Sequence, residues 1–88
     1  MRRIEVDFNT LTSEPINLVK IAEVGTDRER ELLPMLDGER VILWEPGLEA
    51  EAALVLYGGA YWMAQPDRST WRDLPLSQEE EAELEHIS

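Results

Sequence analysis

Between Gly38 and Pro66 the chain carries three apolar runs separated only by two short turn signals, Pro46-Gly47 and Gly58-Gly59. Runs joined this tightly cannot be parallel neighbours, because a parallel crossover needs about a dozen residues or more. The segment therefore reads as an antiparallel meander, with strands at residues 40–45, 48–57 and 60–64. Residues 48–57 fit two periods at once. Leu48, Ala52, Val55 and Leu56 make a helical stripe, whereas Leu48, Ala50, Ala52, Leu54 and Leu56 make a strand face with Glu49 and Glu51 pointing outward. The strand reading is preferred because Gly58-Gly59 and the aromatic run Ala60–Ala64 follow directly, as in a hairpin.

The first half adds two more strands. Ile4, Val6 and Phe8 alternate with charged residues, the pattern of a half-buried strand. A polar loop, 9–15, leads to a second β-rich run, 16–24, in which Ile16, Leu18, Ala22 and Val24 share one face and Val19 and Ile21 populate the other. A strand apolar on both faces is central or covered. Residues 25–38 read as a long loop with one helical turn, since Pro34 would clash inside a longer helix. Leu32, Leu33, Met35 and Leu36 are expected to cap the open end of the barrel. Pro66–Pro75 is turn-rich, with Trp71 and Leu74 as anchors. Ser77 with Glu80 three residues on forms a capping box for a short last helix.

The expected fold is mainly β: a small antiparallel five-stranded barrel or half-open barrel spanning residues 1–76, followed by an acidic C-terminal helix or tail at 77–88. Five short strands, a third opening after Gly38, a long fourth and a tight fourth–fifth hairpin resemble SH3-like barrels. Such barrels host unrelated activities, so the resemblance implies architecture alone.

Charge narrows the partners. The chain has 88 residues with 19 acidic against 8 basic, a net of −11, and residues 37–88 carry 12 acidic and 3 basic of these. A surface of that sign repels phosphate backbones and anionic membranes. Direct nucleic-acid binding and membrane binding are not expected, and a charge-selected partner is basic. Without cysteine there is no disulfide, thiolate metal site or cysteine nucleophile. Two arginines near the N-terminus lack a following apolar segment, so no signal peptide is read there. A cytoplasmic location is expected.

Catalytic constellations are weak. His86, the single histidine, sits two residues from the C-terminus, where a general base cannot be held in register with a nucleophile. Glu83-x-x-His86 has metal-ligand spacing, but only one copy occurs, whereas dimetal carboxylate sites use two with further glutamates. Glu49 and Glu51 would share one strand face rather than oppose each other across a cleft, as glycosidase chemistry requires. Gly58-Gly59 lacks the pattern and following helix of a phosphate loop. No enzymatic activity, metal or cofactor is expected.

The aromatics are the strongest candidates. Trp44, Tyr57, Tyr61, Trp62 and Trp71 fall within 28 residues, with Phe8 alone before them. Trp62 and Trp71 are expected to fill the core. Trp44, Tyr57 and Tyr61, rimmed by Glu45, Glu49 and Glu51, are expected to form a patch that docks a basic or proline-rich segment of another protein. Two other readings compete: acidic mimicry of nucleic acid in a basic groove, and a small-molecule-binding homodimer joined through exposed strand edges.

Overall fold

The computed structural model describes residues 1–13 and 16–74. Among them run β1 (Arg2–Glu5), β2 (Val19–Glu23), α1 (Asp27–Leu32), β3 (Arg40–Glu45), β4 (Leu48–Tyr57), β5 (Tyr61–Pro66) and the short β6 (Arg72–Asp73). Single 3-10 turns cover Phe8–Thr10 and Arg68–Thr70. The expected C-terminal helix, with Glu83 and His86, lies outside the described residues. Within them, no helix is long and apolar enough to cross a membrane.

The sheet order is β1-β3-β4-β5-β2, with β6 paired to the start of β4. The β3–β4–β5 meander is antiparallel as expected, with Glu45 opposite Leu48 and Tyr57 opposite Tyr61. Both turns need their glycines. Gly47 has φ 92° behind Pro46, as a tight turn with proline first and glycine second requires, and Gly58 and Gly59 have φ 61° and 69°. β4 is strand throughout, so its alanines and glutamates follow period two.

Two departures from the sequence reading shape the molecule. Instead of the antiparallel pairing expected throughout, β1 lies parallel to β3, Arg2 opposite Val41 and Glu5 opposite Trp44. The stretch from Val6 to Glu39 is long enough to make that crossover, and β2 and α1 form on the way. In β2, Val19, Ile21 and Ala22 are all buried because register slips between Lys20 and Ala22. Ile21 is the extra residue of a β-bulge, so the apparently two-faced strand turns both Ile21 and Ala22 inward.

The curled sheet is a half-barrel around one apolar core. Ile4, Val19, Val41, Leu43 and Leu54 are fully buried, and Phe8, Met35, Trp62 and Ala64 complete the packing. Each fully buried aliphatic side chain contributes about 1.5–3 kcal/mol. Trp71 lies against Phe8 with ring centroids 4.8 Å apart. The expected apolar cap divides. Met35 and Leu32 pack on the core, whereas Leu33 and Leu36 remain exposed. Arg2 explains part of this: its guanidinium holds the Leu32 and Pro34 carbonyls and the Glu39 carboxylate, fixing the loop's course.

Candidate functional site

The aromatic patch expected from the sequence is divided between two ends of the sheet. Trp44 sits opposite Glu49, near the start of β4, while Tyr57 and Tyr61 face each other at its end. Tyr57 lies eight residues along the strand from Glu49, roughly 27 Å at the rise of an antiparallel strand. Tyr57 and Tyr61 are exposed, and the Lys20 ammonium lies 6.0 Å from the Tyr61 ring.

Around Trp44 the glutamates are not a free rim. Glu5, Trp44, Glu49 and Arg72 stand in one register row across β1, β3, β4 and β6. Glu49 was expected to meet solvent; it faces outward but is only 5% exposed. The Arg3 guanidinium bonds one of its oxygens at 2.6 Å while covering the Trp44 ring at 5.8 Å. Arg72 bonds the other oxygen. The Arg3 hydrogen bond, followed by Arg72, holds the Glu49 carboxyl below its ordinary range despite its burial. Glu51 is half-buried, with Arg40 at 3.8 Å, and Arg40 also reaches Asp67 at 3.9 Å. Of the expected rim, Glu45 makes no ion pair among the described residues and lines a different feature.

That feature is a cleft of about 740 Å³ between the unpaired edges of β1 and β2. Val6, Ile21, Ala22 and Pro46 give it an apolar floor, and Glu5, Asp7, Glu23 and Glu45 set four carboxylates around it against Lys20 and Arg28. None of the four carboxylates forms an ion pair with a described residue, in contrast to Glu39, Glu49, Glu51 and Asp67 elsewhere in the molecule. Side chains bridge the gap. Arg28, from α1, donates to the Glu5 carbonyl at 2.5 Å and to the Ile21 carbonyl at 3.5 Å. The Thr10 hydroxyl accepts from the Lys20 amide at 3.2 Å and donates to the Asp7 carbonyl at 2.8 Å.

Local sequence builds each wall. Asp7 caps the 3-10 turn by accepting from the Asn9 amide, which brings Thr10 beside β2. Thr26 caps α1 and Glu29 reaches back to the Gly25 amide, a variant of the capping box that orients Arg28 toward the seam. The lining hydroxyls, Thr10 and Thr26, are both engaged with backbone groups. The cleft thus presents carboxylates and backbone groups along its walls rather than free hydroxyls. Sequence reading missed it because periodicity does not reveal that β1 is placed parallel to β3 at the far edge from β2. The one local hint is the pair of outward acids, Glu5 and Asp7.

Among the described residues, no group of three or more histidine, aspartate or glutamate side chains is placed to hold a metal ion. The chain matches no family model, no curated protein and no solved structure.

Proposed function

We propose that this protein is a non-catalytic binding module that takes a basic, extended segment of a partner protein into the cleft between β1 and β2. One observation carries the reading: four carboxylates without ion-pair partners among the described residues surround a cleft bounded by two open strand edges. Open edges supply backbone donors and acceptors in a row, and a basic segment supplies the charge that the cleft lacks. Trp44 adjoins Glu45 and belongs at the margin of this surface; Tyr61 borders the β2 side, opposite Glu23 and beside Lys20, whereas Tyr57 does not line the cleft.

The test is binding of a fluorescein-labelled peptide alternating arginine and threonine, read by anisotropy at low and high salt. The triple change Glu5→Gln, Glu23→Gln, Glu45→Gln should abolish binding, and Trp44→Ala should weaken it while Tyr57→Ala does not. Unchanged binding by the triple variant overturns the reading. Acidic mimicry, the competing reading, calls instead for capture by a folded basic groove with the free peptide left unbound.

A further inference from the structure

Arg28 and Thr10 occupy the cleft in a specific way. Arg28 lies in an acidic lining, yet among the described residues it forms no ion pair and bonds only main-chain carbonyls, one from each open edge. Thr10 supplies the complement, an oxygen that accepts from the Lys20 amide on the β2 edge. A donor facing the two carbonyls and an acceptor facing the amide are what the N–H and C=O groups of one more strand would present there.

We infer that Arg28 and Thr10 are stand-ins for an absent strand, and that the basic segment binds by strand addition at this seam, displacing them; this rests on the cleft being the basic-peptide site proposed above. Arg28 thereby acts as a latch. Its guanidinium is planar with five donors in a fixed fork, which lets one side chain reach both edges. Leu32 and the Glu29–Trp62 bond hold α1 against the core, whereas Arg28 is exposed, so the side chain can swing out of the seam while the helix stays in place. Exchange is balanced in hydrogen bonds: the carbonyls of Glu5 and Ile21 trade guanidinium donors for main-chain amides of the incoming segment. The freed Arg28 is left beside the four cleft carboxylates. Affinity is therefore held down by an internal competitor, and the occupant must be extended as well as basic.

Arg28→Lys separates this from simple charge. Lysine keeps the positive charge but cannot fork across two carbonyls. With the alternating arginine–threonine peptide as probe, Arg28→Lys should bind about tenfold more tightly than the unaltered chain, equal to about 1.4 kcal/mol. Thr10→Val, which removes the acceptor at Lys20, should shift affinity in the same direction and serves if Arg28→Lys fails to fold. In the unaltered chain, peptide should move the Arg28 side-chain Nε–H resonance. A second peptide with proline at every threonine position, which lacks those amides, should bind more weakly to all forms. Equal or weaker binding by both variants, with the unaltered chain still binding, overturns the latch and leaves the cleft reading standing. No binding by any form overturns both.

Discussion

Trp62 donates its indole N–H to the Glu29 carboxylate at 2.8 Å, joining the exposed helix α1 to the buried face of β5. The other Glu29 oxygen accepts from the Gly25 amide at 2.9 Å. The Gly25 bond first, and the Trp62 bond second, hold the Glu29 carboxyl below its ordinary value of 4.5. A carboxyl lowered in the folded state contributes stability that is complete above its unfolded value and is lost as pH falls through the folded one. The Trp62 indole N–H resonance, followed from neutral pH downward, should therefore shift with a midpoint below 4.5, and Glu29→Gln should remove the transition. A midpoint at or above that value contradicts the assignment. Glu49 and Asp67 are lowered too, so overall stability should fall in the same acid range.

Glu49 ties three strands together through Arg3 on β1 and Arg72 on β6. Removing the shared acceptor leaves two arginines facing each other, whereas removing either arginine leaves the carboxylate one partner. Glu49→Ala should thus lower the melting temperature more than Arg3→Ala or Arg72→Ala. Amide exchange should rise at both β1 and β6 in the glutamate variant. Exchange confined to one of these strands would show that the clasp does not act as a unit.

At the Gly58-Gly59 turn a Cβ on either glycine meets nothing within 4 Å, so only backbone conformation resists substitution. With φ at 61°, Gly58→Ala should cost about 1–2 kcal/mol. Gly58→Asn should cost less, because asparagine visits this region more readily. Urea denaturation with an unchanged slope is the appropriate measurement. An alanine variant as stable as the original would mean that the turn relaxes into another form.

The meander was legible because its signals are local. Pro46-Gly47 and Gly58-Gly59 fix both turns, and period two across Leu48–Leu56 fixes the buried face. The crossover was not, because nothing in Arg3–Phe8 states whether Ile4 packs beside Leu43 from a parallel or an antiparallel neighbour; both give the same alternation. Ile21 misled for a related reason, since a single bulge converts an apparent second face into the first. The spacing of the expected patch was illegible at the same level. Tyr57 and Tyr61 do meet across their hairpin, but grouping them with Trp44 ignores the length of β4. Glu49 reads as a solvent acid in sequence because its arginine partners arrive from residues 3 and 72.

The irregular step at Ile21 also bears on how copies of this chain behave toward one another. A regular border would let a second molecule zip alongside indefinitely, each layer templating the next. Here any ladder laid against β2 loses phase after a few rungs, and the opposite border, β1, is only four residues long. Both borders thus offer few consecutive rungs, which works against edge-to-edge stacking of copies of this chain.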